Sequence, residues 1–229
     1  MGAHSMRAIR VLLVDDQPMI RTGFRLILEA EPDITVVGES PDGERAVADT
    51  RELRPDIVLM DIRMPGTDGV EATRRIVADG SASRVIILTT FDLDAHVVDA
   101  LRAGASGFLV KDGPADSLVE AIRTVDAGDA VLSPRVTHRL LDRFARLADA
   151  AIPPVPSRLA ALTGRELDVL RALTRGLSNA EIAHELGVGE TTVKTHVAHI
   201  LDKCDLRDRV QAVILAYDSG LVVPGGGQR

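Results

Sequence analysis

Residues 56–69 read DIVLMDIRMPGTDG. Four apolar residues, 57–60, run unbroken into the acid Asp61, and the chain then turns through Pro65 and Gly66. A short run that is apolar on both faces is a strand buried between two layers, and such strands belong to parallel sheets. Outward from it, further short runs rich in β-branched residues stand at 10–14, 35–38, 85–89 and 107–110, with amphipathic stretches such as 19–30 and 95–103 between them. Strand starts fall every 20 to 30 residues, which is the spacing of strand, crossover helix, strand. The expected fold of this half is α/β, a five-stranded parallel, doubly wound sheet. Ligands of such a sheet sit beyond the carboxyl ends of its strands. Asp15 and Asp16 follow the first strand, Asp61 the third, Thr89 ends the fourth and Lys111 follows the fifth.

Carboxylates gathered at one edge disfavour one another's ionisation and call for a counter-charge. All-oxygen ligands without His or Cys suit a hard cation, and Mg²⁺ uses one or two carboxylates together with phosphate oxygens. A carboxylate beside Mg²⁺, with a Lys and a Thr hydroxyl in reach of a phosphoryl group, has the parts for attack on phosphorus to give an acyl phosphate.

Composition narrows the alternatives. The chain has 229 residues, 45% hydrophobic and 27% charged, with 2% aromatics and no Trp. Such a core is aliphatic, and nucleic-acid binding by base stacking on aromatic platforms has little to work with. The single cysteine, Cys204, rules out internal disulfides and Cys-based zinc cages, and reads as a small core residue. No apolar stretch reaches the roughly 18 to 20 residues of a membrane span, so a cytoplasmic protein without a membrane partner is expected. Residues 1–131 carry 14 basic against 23 acidic residues, residues 161–229 carry 8 against 9, and the segment between is basic. Three prolines fall within residues 153–156 of the stretch 148–157, which reads as a semi-rigid linker, preceded by an amphipathic helix over 134–147. The expected division is 7–131, a linker at 132–159, and a second domain at 160–224.

Residues 7 to about 128 resemble the CheY-like receiver domain of bacterial two-component response regulators. VLLVDDQ (11–17), DIVLMDIRMPGTDG (56–69), VIILTT (85–90) and AGASGFLVKD (103–112) stand in the family's order and spacing. The resemblance implies Asp61 as phosphoacceptor and a sensor histidine kinase as donor. It implies Mg²⁺ held by Asp15, Asp16, Asp61 and the backbone carbonyl of Arg63, with Thr89 and Lys111 at the phosphate. Phe108 falls at the family's rotameric aromatic position, commonly Tyr; without a phenol oxygen it reports the switch by packing alone. Arg63 and Phe91 occupy positions where the family varies its dephosphorylation rate. Asp112 follows the lysine where many receivers have Pro, so no cis peptide is expected there.

The second half is all helical in pattern, with four helices. Thr163-Gly-Arg-Glu166 and Ser178-Asn-Ala-Glu181 are capping boxes, each opening a helix. A third helix, about 190–203, turns Val193, Val197, Ile200, Leu201 and Cys204 inward. Two helices meeting through residues 186–189 form a helix-turn-helix, whose second member enters the DNA major groove. Residues 160–222 resemble the LuxR-type (NarL/FixJ) DNA-binding domain through LTGRELDVL, GLSNAEIAHELGV and TTVKTHVAHIL. That resemblance implies that Lys194 and Thr195 face base edges, with Thr191, Thr192, His196 and His199 nearer the DNA backbone. Gly189 stands where the family often has a Ser cap. Near-neutral charge makes the phosphate contribution of one copy small, so a homodimer on paired half-sites of double-stranded DNA is expected. On a fourth helix over 208–219, Val210, Val213, Ile214 and Tyr217 are expected to pack inside the domain. Ala212, Leu215 and Ala216 then form a second apolar face for the same helix of another chain.

The reading is a transcription factor whose dimerisation and DNA binding are controlled at Asp61, not an enzyme beyond its own phosphotransfer and dephosphorylation. Two rivals stand beside it. An aspartyl-phosphate phosphohydrolase would need a second Asp two positions on as general acid, where Arg63 stands. A DNA-binding protein with a receiver fold that takes no phosphate would have no use for the acid, Thr and Lys set.

Overall fold

The computed structural model describes residues 7–89, 97–128, 131–132 and 158–222. The chain divides into two compact units, 1–131 and 132–229. The helix expected at 134–147, the linker at 148–157 and Phe91 lie outside the described residues.

The first unit alternates strand and helix: β1 (Ile9–Val14), α1 (Pro18–Glu29), β2 (Ile34–Ser40), α2 (Gly43–Leu53), β3 (Ile57–Asp61), α3 (Gly69–Ala78), β4 (Arg84–Thr89), α4 (Val97–Arg102), β5 (Gly107–Val110) and α5 (Ala115–Asp126), and the two-residue β6 (Val131–Leu132) falls where the chain passes from one unit to the next. The sheet order is β2-β1-β3-β4-β5-β6. The first five strands in that row pair in parallel. They are the five that the sequence leads one to expect, and β6 is an addition that a two-residue run could not announce.

Burial explains the runs. All five residues of β3 are buried, and so are the last five of β4. Val11, Leu13, Ile57, Leu59, Ile86 and Leu88 share one face with Leu28 of α1 and with Leu118, Ile122 and Val125 of α5. By strand alternation Leu12, Val58, Met60 and Ile87 turn to the other layer, and each is fully buried. Two helix starts in this layer are fixed by acids: Asp42 accepts from the Arg45 N–H and Asp68 from the Glu71 N–H, each at 2.8 Å.

The second unit opens with a 3₁₀ turn (Arg158–Ala161), followed by α6 (Gly164–Thr174), α7 (Asn179–Leu186), α8 (Glu190–Lys203) and α9 (Arg209–Asp218). Both capping boxes form, reciprocally, at Thr163 with Glu166 and at Ser178 with Glu181. Gly187 closes α7 in the left-handed conformation at φ 64°, and Gly189 starts α8 without a side-chain cap. Leu170, Leu173, Ile182, Val193, Ile200 and Cys204 form the centre of this core.

One expectation is corrected here. Ala212 and Ala216 do not form an outward face for a second chain, because both are fully buried in this domain's own core. Leu215 and Val213 pack partly against the same cluster. Val210 and Ile214, expected inside, are buried too, so α9 turns both of its apolar sides into its own domain, and the two alanines let its neighbours approach closely. Tyr217, expected inside, is buried, and its hydroxyl donates to the Thr174 carbonyl at 3.2 Å.

Candidate functional site

The parallel register carries the chemistry to one edge of the sheet. Val14 pairs with Met60, Asp61 with Leu88, and Thr89 with Val110, so Asp15, Asp61, Thr89 and Lys111 all emerge at the carboxyl ends of neighbouring strands. β2 lies on one side of β1 and β3 on the other, which makes the β1/β3 junction the switch point where doubly wound sheets bind ligands.

Oxygen atoms of Asp15, Asp16 and Asp61 lie within 4.8 Å of one another. The Lys111 ammonium donates to Asp15 Oδ2 at 2.6 Å and reaches Asp61 Oδ1 at 2.8 Å, with all three side chains no more than 6% exposed. The other Asp15 oxygen accepts from the Gln17 N–H at 2.9 Å. Arg21 donates to the Asp15 carbonyl at 2.6 Å and fixes the strand's exit. Asp16 Oδ1 is buried and has no hydrogen-bond partner among the described residues. An acceptor of that kind, inside an all-carboxylate cluster, is what a hard divalent cation satisfies.

Burial pushes the Asp61 carboxyl above its ordinary value; the Lys111 hydrogen bond opposes this, and the nearby Asp15 charge adds to it. Burial also works against the charge on Lys111, but the hydrogen bonds to Asp15 and Asp61 outweigh it and raise the ammonium's pKa. The backbone N–H of Arg63 donates to the Asp61 carboxylate, while the Arg63 side chain is exposed. Thr89 is buried at the end of β4. Phe108 is buried in β5 opposite Ile87. The backbone N–H of Lys111 donates to the Thr89 carbonyl at 2.7 Å, which ties the two positions together. No peptide bond among the described residues is cis.

Gly69 is a residue that motif reading passed over. A Cβ there would stand 2.1 Å from the carbonyl oxygen of Asp61 and 2.9 Å from the Cα of Ile62, so only glycine lets α3 begin against the end of β3. Its N–H donates to the Ile62 carbonyl at 3.1 Å and closes the loop behind Asp61. The Asp-Gly pair at 68–69 was the only trace of this in the sequence.

The second unit offers a separate surface. On α8, Thr191, Thr192, Lys194, Thr195 and His199 are exposed. His196 is half-buried, its Nδ1 without a partner among the described residues. The Thr195 hydroxyl turns back to the Thr191 carbonyl at 3.0 Å, and Lys194 pairs with Glu190 at 3.3 Å. His199 Nδ1 lies 3.7 Å from Glu166, a buried carboxylate that also takes Lys203 at 2.7 Å. The Lys203 hydrogen bond, with the capping N–H of Thr163, holds the Glu166 carboxyl down to about 2 against the cost of burial. Glu166 thereby joins the start of α6 to the far end of α8.

Comparison with known proteins agrees with both halves. Residues 11–123 match the family described as "Response regulator receiver domain", and residues 160–216 match "Bacterial regulatory proteins, luxR family". The chain is 41% identical over 214 residues to the transcriptional regulatory protein LiaR of Bacillus subtilis, covering 93% of this chain and 99% of LiaR. It is 39% identical over 214 residues to the response regulator VraR of Staphylococcus aureus, with the same coverage. The crystal structure of the response regulator ChrA, from a heme-sensing two-component system, aligns with a TM-score of 0.52 at 39% identity, over 94% of this chain and 99% of ChrA. With an acidic site at Asp15, Asp16 and Asp61 on a parallel receiver sheet and a helix-turn-helix unit later in the sequence, the chain belongs to the two-component response regulators of the NarL/FixJ family, transcription factors that join a phosphorylatable receiver to a LuxR-type DNA-binding domain.

Proposed function

We propose that Asp61 is the phosphoacceptor of this regulator and that a sensor histidine kinase is its donor. The observation that carries the reading is the Lys111 ammonium held between the buried carboxylates of Asp15 and Asp61, with the orphaned Asp16 oxygen beside them. Asp15, Asp16, Asp61 and the Arg63 carbonyl would hold Mg²⁺, which when bound neutralises the cluster and the incoming phosphoryl oxygens. An Asp61 oxygen attacks the phosphorus of the kinase's phosphohistidine. The P–N bond breaks with its electron pair going to the imidazole, and an acyl phosphate forms. Lys111 then pairs with a phosphoryl oxygen in place of the carboxylate it has lost, the Thr89 hydroxyl donates to another, and Phe108 repacks. Water attack on phosphorus restores Asp61 and releases inorganic phosphate, so the protein's own chemistry is confined to this cycle.

Met19 and Leu26, 84% and 67% exposed, lie seven residues apart on α1, which starts two residues after Asp16. An exposed apolar pair there suits a protein partner docking beside the site. The proposed extents are a receiver at 7–131, a linker at 132–159 and a DNA-binding domain at 160–224. That domain would read the major groove with Lys194 and Thr195, with Thr191, Thr192, His196 and His199 toward the DNA backbone. It would act as a homodimer on paired half-sites in the cytoplasm. No helix among the described residues is long and apolar enough to cross a membrane.

The test is chemical. Acetyl phosphate with Mg²⁺ should phosphorylate the full chain and leave Asp61→Asn unmodified, and EDTA should stop the reaction. Equal modification of both proteins would refute the site.

A further inference from the structure

We propose that Glu190, at the first helical position of α8, reads a base and selects cytosine in partnership with Lys194. The inference deepens the DNA-binding reading above and rests on it.

Glu190 is 51% exposed at the end of the helix that would lead into the groove. Its carboxylate lies 3.3 Å from the Lys194 ammonium one turn on, so both groups stand on one face, away from the buried Val193 and Ile200. Four residues of helix are about 6 Å of axis, a span that lets two side chains reach the same or adjacent base pairs.

An ionised carboxylate only accepts hydrogen bonds. In the major groove guanine and thymine present acceptors, adenine and cytosine present amino donors, and Asp or Glu is the usual partner of cytosine N4. Lys194 has the opposite requirement, taking the O6 and N7 acceptors of guanine. The pair therefore carries both halves of a G·C readout, one acceptor and one donor 3.3 Å apart on the exposed face.

The charge has a second effect. Residues 161–229 carry 8 basic against 9 acidic residues, so this unit has little phosphate attraction to spare. A carboxylate at the leading end of the helix weakens binding to every sequence except one that offers it a donor. That is discrimination by penalty as well as by contact. A purely structural Glu190 would instead act through the helix dipole and the i,i+4 pair, which are indifferent to base identity.

The experiment is selection from a randomised duplex pool by the full chain treated with beryllofluoride and Mg²⁺, wild type beside Glu190→Gln and Glu190→Ala, with affinities measured on the selected and on random DNA. The wild type should enrich a motif with cytosine at one position of each half-site. Glu190→Gln should move that position toward adenine, the base that a carboxamide pairs with. Glu190→Ala should leave it unselective, costing roughly 5- to 150-fold of the selected-over-random ratio while binding random DNA more tightly. If both variants select the wild-type motif and differ only by a uniform gain in affinity, Glu190 is structural and the proposal is overturned. Failure of the wild type to enrich any motif would overturn the DNA-binding reading itself, a result distinct from an unchanged motif.

Discussion

The ammonium nitrogen of Lys111 lies 2.8 Å from Asp61 Oδ1, and both side chains are almost wholly buried. Desolvation raises the Asp61 pKa, and the hydrogen bond and charge of the lysine oppose that shift at the end of β3. Lys111→Met should weaken beryllofluoride binding at Asp61 by about 10- to 100-fold, the equivalent of a charged hydrogen bond worth about 1.5 to 3 kcal/mol. Titration with Mg²⁺ present, followed by NMR of the receiver amides, measures it; unchanged affinity would remove Lys111 from the phosphate site.

Gly69 should tolerate no side chain. The Cβ of Gly69→Ala would meet the Asp61 carbonyl at 2.1 Å, a backbone atom that cannot rotate away. A loss of about 1 to 3 kcal/mol is expected for overpacking of this kind, together with slower phosphorylation because the displaced loop carries Arg63. Urea unfolding followed by far-UV circular dichroism, beside acetyl phosphate kinetics, checks both.

Glu166 gives the second unit a defined acid limb. An acid whose folded pKa is depressed contributes stability above its unfolded pKa and loses it as pH falls through the folded one. For Glu166 the window runs from 4.5 down to about 2. The contribution is about 2 to 3 kcal/mol at neutral pH. Tyr217 is the protein's one tyrosine, there is no Trp, and it is buried in this unit, so tyrosine fluorescence follows its unfolding alone. Glu166→Gln should lower the neutral-pH stability and flatten the decline between pH 4.5 and 2.

Asp205 adopts φ 52° directly after α8, a left-handed conformation that costs an L residue energy and glycine none. Relief of a left-handed penalty of about 1 to 2 kcal/mol, less the roughly 0.5 to 1 kcal/mol of entropy that glycine loses, should make Asp205→Gly a modest stabilisation of this unit, read by the same fluorescence. A destabilised variant would show that the aspartate side chain has a role beyond the turn.

The parallel receiver sheet was legible because residues 57–60, 85–88 and 11–14 are apolar without alternation, a pattern that a half-solvated sheet would not tolerate. The site was legible for the same reason: acids and a lysine that end such runs must meet at one edge. The helix starts at Thr163 and Ser178 were legible because a capping box is a local device, complete within four residues. The packing of α9 was legible only in part, since Val210, Ile214 and Tyr217 are buried as expected and Ala212 and Ala216 are buried beside them. Both of its sides are apolar, and periodicity cannot tell a second partner within the domain from a second chain. Gly69 and the orphaned oxygen of Asp16 were hidden likewise, since close approach between segments leaves no periodic mark in the sequence.

The most direct test of the account is the DNA affinity of the full chain before and after beryllofluoride treatment with Mg²⁺, in wild type and in Asp61→Asn, on a duplex selected from a random pool by the treated wild type. The wild type should tighten by at least about tenfold, or 1.4 kcal/mol, with no change in Asp61→Asn. Equal tightening in both proteins, or none in the wild type, would contradict control of DNA binding through Asp61.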